Sequence, residues 1–280
     1  MKTVHIITGP TASGKSARAY ALAESHHGVV INADAMQCYA PLPILSAQPT
    51  VDEQKEIPHR MYGFLNPLEK LNAARWAELA RAEIENAFAD GLQPILCGGT
   101  GLYLKALTEG MAVVPDIDPS VRMNLQTRLT AEGLPALYAE LQKIDAELAA
   151  RLKPNDTQRI LRGLEVFIGT NRKLSEWQQA EHLCPPEYEF KWEIILPERE
   201  VLYDKINHRT HAMIAGGVLD EVRGVEIPEA STAWKTHGYR EFRSHLRGEI
   251  SLDEAITQTQ QVTRNYAKRQ FTWWRNQSLR

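Results

Sequence analysis

Eight residues near the start of the chain, GPTASGKS from Gly9 to Ser16, match the phosphate-loop pattern G-x4-G-K-[ST]. Gly9 and Gly14 permit a tight backbone path whose N–H groups, with the N-terminus of a following helix, face an anion. Lys15 adds a positive charge, and the Ser16 hydroxyl can hold Mg²⁺. The pattern implies a phosphate site without saying whose phosphate it takes. About a dozen residues further on, the stretch VVINADAMQCYA (Val29 to Ala40) runs from strand-like residues straight into Asp34, followed by Gln37 and Tyr39. A carboxylate there could hold a metal, bind a ribose, cap a turn or take a proton.

Three further segments carry polar groups in suggestive patterns. In CGGTGLYLKAL, Gly98, Gly99 and Gly101 let backbone approach a ligand closely, and Thr100 offers a hydroxyl and an N–H. In ARLKPNDTQRILRGLEV, Arg159 and Arg162 are three apart on one helical turn, with Gln158 beside them. The final segment, QVTRNYAKRQFTWWRNQSLR, interleaves Arg264, Lys268, Arg269, Arg275 and Arg280 with Tyr266, Phe271, Trp273 and Trp274, and contains no acid. It reads first as an amphipathic helix with packed aromatics and solvated charges; the alternative is a surface that meets phosphates and stacks bases.

The elements that must position these groups alternate at first. Thr3–Thr8, VVIN and Pro94–Cys97 read as buried strands, while Ser16–Glu24 and Ala73–Phe88 have helical spacing. Such alternation implies a mostly parallel sheet covered on both faces, with ligands outside the carboxyl ends of its strands. The glycine-rich loop and Asp34 both follow strands, so both belong on that edge. After Pro115 the composition turns to Ala, Leu, Glu, Arg and Gln, with helices expected in PSVRMNLQTRL, LPALYAELQKI and DTQRILRGLEVFIG. Pro185 and Pro186 close this region, EFKWEIIL returns to strand chemistry, and the remainder is mainly helical. The expected fold is therefore α/β, a P-loop NTPase-like, mostly parallel sheet with a helical insertion. Residues 1–115 and 187–280 form the core and 116–186 the insertion.

Composition excludes several classes. With 43% hydrophobic and 24% charged residues, the 280-residue chain is an ordinary globular protein. No apolar run approaches the roughly 20 residues that span a bilayer. A net charge of −3 argues against indiscriminate nucleic-acid binding. Cys38, Cys97 and Cys184 are far apart and form no CxxC pair, so neither a zinc knuckle nor a disulfide scaffold is suggested. The amino end goes directly into a strand without a signal-peptide cleavage region, and a reducing, cytoplasmic setting is expected. Phosphoryl transfer is chemically open, because Arg122, Arg128, Arg151, Arg159 and Arg162 of the insertion could neutralise a transferring phosphoryl group.

Taken together, GPTASGKS, DAMQCY, PHRMYGFLNP, GGTGLY, RLKPNDTQRILRGLEV, GYREF and TRNYAKRQFTWWR resemble the tRNA dimethylallyltransferases in order and rough spacing, from Thr3 to Arg275. The resemblance implies transfer of a dimethylallyl group from dimethylallyl diphosphate to the exocyclic N6 amine of the adenosine 3′-adjacent to the tRNA anticodon, with release of diphosphate. It implies a diphosphate site in Gly9, Pro10, Thr11, Ala12, Ser13, Gly14, Lys15 and Ser16, joined by Lys235, with Mg²⁺ on Ser16. Asp34 is implied as the base, Lys15 as the second catalytic group, and Gln37 as a reader of the adenine edge. The tRNA contacts implied are Asp34, Ala35, Met36, Gln37, Thr100, Arg122 and the run Gln158, Arg159, Ile160, Leu161 and Arg162. The insertion would grip the anticodon stem-loop around a flipped adenosine, and a monomer is the expected state.

The chain departs from the family at Ala35, where a serine is usual, and at Gln48, where a lysine is usual. Lys235 stands where some members carry an arginine, and EVRGVEIPEAST is shorter than usual. A relative that prenylates free adenine nucleotides, a small-molecule kinase and a non-catalytic P-loop RNA-binding module are the alternatives.

Overall fold

Five short segments, Thr3–Thr8 (β1), Gly28–Asn32 (β2), His59–Arg60 (β3), Gln93–Gly98 (β4) and Glu189–Ile194 (β5), form a parallel sheet of order β3-β2-β4-β1-β5. They belong to a computed structural model that describes residues 2–179 and 188–277. Cys184, the Pro185–Pro186 pair and Arg280 lie outside the described residues. The strands expected at Thr3–Thr8, Val29–Asn32 and Pro94–Cys97 are present, two of them with slightly wider bounds. Strand β3 has two residues, too few to show any periodicity, and the sequence did not reveal it.

Burial on both faces explains the unbroken apolar runs of β1, β2 and β4. On one side Ile7, Val30, Ile95 and Cys97 pack with Ala19, Leu22 and Ala23 of the helix Lys15–His26. Alternate residues such as Ile6, Ile31 and Leu96, all fully buried, point to the other face. The helix Ala73–Ala89 packs against β2 and β4. Its Trp76 is fully buried, and the indole N–H donates to the Asn32 carbonyl at 3.2 Å.

Register decides where the loops emerge. Thr8 pairs with Gly98 and Asn32 with Cys97, so β1, β4 and β2 end almost level. The glycine-rich loop, Asp34 and the GGT segment therefore leave the sheet at one edge. The exits of β2 and β4 are in tight contact: a Cβ on Gly98 would lie 2.0 Å from the carbonyl carbon of Ala33.

The chain packs as two compact units, Met1–Thr108 with Pro186–Arg280, and Glu109–Pro185. The second contains the helices Pro119–Glu132, Leu134–Ile144, Ala146–Arg151, Thr157–Thr170 and Leu174–Gln179. Asp118, Asp145 and Asp156 each cap one of them by accepting from a backbone N–H of its first turn. Leu125, Leu137, Leu141, Leu148, Ile160, Leu161 and Leu164 form its core. No described helix is long and apolar enough to cross a membrane.

Adding a methyl group at the β2–β4 contact is a direct test of that close approach. Gly98→Ala is expected to lower unfolding free energy in urea by on the order of 1–3 kcal/mol, because backbone must move to admit it. Unchanged stability would show that the two strand exits are not in contact.

Candidate active site

The phosphate loop is built around an anion-shaped absence of negative charge. Gly14 takes φ +94° at the N-cap of the helix Lys15–His26, a backbone conformation that favours glycine, and turns the loop into that helix. Lys15 is 8% exposed, and its ammonium donates to the Pro10 carbonyl at 3.4 Å, its one hydrogen bond among the described residues. Burial lowers its pKa, with Asp34 pulling the other way. The Ser13 hydroxyl is buried without a hydrogen-bond partner.

A second cation comes from outside the loop. Arg209, on the helix Arg199–Ala215, donates from Nη1 to the Thr11 hydroxyl at 3.0 Å and from Nη2 to the Leu45 carbonyl at 3.4 Å. Its Nε is buried and unpaired, and it makes no ion pair among the described residues. Burial lowers its pKa too, again opposed by Asp34. Two cations and a cradle of N–H groups without a partner carboxylate are costly unless an anion joins them.

Asp34 is held by its neighbours rather than by a cation. Buried Asn32 accepts from the Asp34 N–H at 2.8 Å and donates to the Asp34 and Met61 carbonyls, each at 3.0 Å. Asp34 Oδ1 accepts from the Met36 N–H at 3.1 Å, which leaves its second oxygen available. The Ala35 N–H donates to the Thr100 hydroxyl at 3.0 Å, and the Thr100 N–H to the Ala33 carbonyl at 3.1 Å. Thr100 thus supplies the hydroxyl beside Ala35, and braces the Asp34 turn.

Two cavities share Thr11, Asp34, Ser46 and Arg209 in their walls. One also takes in Lys15, Ser16, Gln37 and Lys205; the other includes Met36, Met213, His237 and Tyr266. Asp34 is the one carboxylate in either wall. The rings of His237 and Tyr266 lie 4.5 Å apart, and burial, followed by Arg269, lowers the His237 pKa, so the imidazole is neutral at pH 7.

Some expected residues sit differently. Lys235 is exposed and lines neither cavity; Arg209, a helical residue in no sequence motif, stands beside the phosphate loop in both. Gln37 does line the loop-side cavity, but its Nε2 donates to the Ser46 and Ala47 carbonyls at 3.0 and 2.6 Å, leaving Oε1 for a ligand. Gln48 donates to the Tyr39 carbonyl at 2.8 Å and the Ser46 hydroxyl at 3.1 Å, so it braces the neighbouring turn without a charge.

Within the second unit the run Gln158 to Arg162 splits by helical phase. Gln158 and Arg159 are exposed and Arg162 is half-buried, whereas Ile160 and Leu161 are fully buried in the core. Ile160 and Leu161 therefore offer no exposed side chain, and only Gln158, Arg159 and Arg162 of the run present one. Arg122 and Arg162 approach the same oxygen of Glu165, at 3.6 and 3.2 Å. Arg159 lies 3.4 Å from Asp156.

Residues 37–277 match the profile of the family described as IPP transferase. The chain belongs to that family. It is 46% identical over 277 residues to a tRNA dimethylallyltransferase of Rhodopseudomonas palustris, covering 97% of this chain and 86% of that one. With a tRNA dimethylallyltransferase of Rhodospirillum centenum it shares 45% over 280 residues, covering 99% and 89%. Among solved structures, a eukaryotic dimethylallyltransferase acting on tRNA superposes with a TM-score of 0.82 at 27% identity, covering 98% of this chain and 70% of that one. A tRNA isopentenylpyrophosphate transferase of Bacillus halodurans gives 0.68 at 32%, covering 99% and 88%. The family match begins at residue 37, after the phosphate loop and Asp34, whereas the alignments to the Rhodopseudomonas palustris and Rhodospirillum centenum relatives cover 97% and 99% of this chain.

The unpaired guanidinium leads to a quantitative expectation. Arg209→Gln should weaken diphosphate binding by about 1.5–3 kcal/mol, the worth of a charge-assisted hydrogen bond. Lys235→Ala should leave it unchanged. Calorimetric titration with diphosphate checks both, and equal losses in the two variants would contradict the placement.

Proposed function

We propose that the chain transfers a dimethylallyl group from dimethylallyl diphosphate to the exocyclic N6 amine of the adenosine 3′-adjacent to the anticodon in tRNA. The observation that carries this reading is the shared wall: one carboxylate, Asp34, faces the same space as Lys15, Arg209 and the phosphate loop. Two cations and loop N–H groups suit a departing diphosphate, and a lone acid suits a proton acceptor.

The allylic C–O bond breaks readily because the resulting cation is delocalised, provided the leaving diphosphate is neutralised. Lys15, Arg209 and the backbone N–H groups at the turn into the helix, those of Gly14, Lys15 and Ser16, do that. The adenosine N6 forms the new C–N bond, and its proton passes to the free oxygen of Asp34, so diphosphate leaves with the bonding pair. Thr100 and Asn32 act through the turn that aims that oxygen. Gln37 Oε1 accepts from the amine edge of adenine, while its amide nitrogen remains with the Ser46 and Ala47 carbonyls.

A Mg²⁺ ion fits this donor set. No group of three or more His, Cys, Asp or Glu side chains forms a metal cluster among the described residues. Mg²⁺ instead favours one or two protein oxygens completed by phosphate and water. Ser16 would hold it, and when bound it would supply further charge for the departing diphosphate.

Arg122, Arg159, Arg162 and Gln158 of the second unit are the side chains we assign to the anticodon stem-loop, through phosphate and shape contacts. Transfer to a free adenine nucleotide is the competing reading, and an arginine-bearing insertion would have no purpose there. The protein would work as a cytoplasmic monomer.

Labelled dimethylallyl diphosphate, Mg²⁺ and either an anticodon stem-loop or AMP distinguish the two. Label should enter the RNA and not AMP; transfer to AMP alone would overturn the reading. Asp34→Asn should lower turnover by roughly 10²–10⁴-fold with RNA affinity unchanged. Near-normal turnover in that variant would remove Asp34 as the base. Arg159→Ala should instead weaken RNA binding and leave turnover of the bound complex intact, as read by gel-shift and single-turnover rates.

A further inference from the structure

One side chain of the last helix, Leu252–Arg275, touches both glycine loops. Gln270 is 5% exposed. Its Oε1 accepts from the Thr11 N–H at 2.8 Å, and its Nε2 donates to the Gly99 carbonyl at 3.0 Å. The fit is tight on the Gly99 side, where a Cβ would lie 2.2 Å from that nitrogen. A methyl group at position 99 would displace the glutamine amide from this place.

The two loops also meet at Gly9, whose carbonyl oxygen lies 3.0 Å from where a Gly99 Cβ would be. Their strands part after Thr8 and Gly98, and among the described residues no backbone hydrogen bond joins residues 9–16 to residues 99–101. Thr11 also receives the Arg209 guanidinium, so one arm of Gln270 ends on the diphosphate side. Gly99 precedes Thr100, whose hydroxyl holds the Ala35 N–H at the foot of the Asp34 turn, so the other arm ends on the base side. Ala267, one residue beyond Tyr266 on the same helix, packs with Leu202, Ile206 and Ala12 of the phosphate loop. Tyr266 lines the cavity that also holds Asp34 and Arg209.

We propose that Gln270 is a positioning residue that sets the separation between the diphosphate cradle and the Asp34 turn; this rests on the prenyl-transfer reading. The reaction joins two substrates held by different loops, and bond formation requires reacting atoms about 3–3.5 Å apart. A displacement of ~1 Å between the loops costs on the order of 10²-fold in rate. The latch needs an acceptor and a donor on one planar group, which an amide supplies at neutral pH. Asparagine has that chemistry but is one methylene shorter.

Gln270→Met keeps length and burial but removes both hydrogen bonds. It is expected to lower kcat by about 10–100-fold, with KM for dimethylallyl diphosphate and Kd for the stem-loop changed by less than about 3-fold. Gln270→Glu gives the readout that packing alone would not move. As a carboxylate it accepts from Thr11 but repels the Gly99 carbonyl. Burial beside a carbonyl raises its pKa, and below that pKa the protonated acid donates to Gly99 and restores the pattern. The ratio of its kcat to that of the unaltered protein should therefore rise as pH falls. Lys15, Asp34, Arg209, His237 and Tyr266 face the same loops in both proteins, so the ratio removes their contribution.

A Met variant within 2-fold of the unaltered kcat, or a Glu ratio flat with pH, would overturn the role. The Glu variant keeps the test decisive if Met disturbs packing, because rescue by acid requires the hydrogen bonds themselves. An unaltered protein that transfers no label would remove the prenyl-transfer reading and the positioning role with it. An active protein matched by Gln270→Met would remove the positioning role alone.

Discussion

The register of one parallel ladder governs the site. Thr8 lies opposite Gly98 and Asn32 opposite Cys97, so three strands end level and three loops start within reach of one another. A shift of one rung would move a strand by about 3.3 Å and turn its side chains to the other face. The Thr100 hydroxyl would then miss the Ala35 N–H, and Gln270 could not bridge Thr11 and Gly99. The apolar residues of β1, β2 and β4 are buried on both faces, which fixes that register strongly. Core packing is in this sense the first requirement of the chemistry.

The second requirement is a charge imbalance that the fold tolerates. Lys15 and Arg209 are both depressed in pKa by burial, and both are relieved in part by Asp34. A carboxylate salt-bridged directly to either would remove that tension, but it would also fill the space between the cations and the phosphate loop. The structure instead anchors Asp34 through neutral partners, the Asn32 side chain and the Met36 N–H. Its free oxygen stays available while its charge still acts on the cations across the cavity. An anion bound between them would stabilise the folded chain by mass action, since the unfolded chain offers no such site.

These two requirements separate what the sequence revealed from what it concealed. Strands with β-branched, doubly buried residues and the helices that cover them follow from pattern, as do the phosphate loop and Asp34, because each chemistry-bearing group sits directly after a strand. Arg209, His237 and Gln270 lie on helices or turns far along the chain and obey no local spacing rule. They reach the site only through tertiary packing, whereas Lys235, three residues before GYREF, was the cation the resemblance offered, and it lines neither cavity. The run from Gln158 to Arg162 shows the opposite error. A motif is contiguous, but a helix turns by about 100° per residue, and that rotation places Ile160 and Leu161 in the core beside an outward-facing Arg159.

The last helix makes the same point about its aromatic and basic residues, which sequence alone allowed as a stacking surface for bases. Trp274 is 3% exposed and packs near Trp192, and the ring of Trp273 lies against Gly101. Tyr266 meets His237, and Arg269 and Arg275 lie over the rings of Tyr266 and Phe271. Arg264 donates to the Asn207 side chain at 2.8 Å. The aromatics therefore face the glycine loops or their own arginines rather than open solvent. A helix that must bury Trp274 and Gln270 to hold those loops has only its exposed outer charges, Lys268 among them, to offer a partner. Through Gln270 and Ala267 the same helix reaches the edge where the loops emerge.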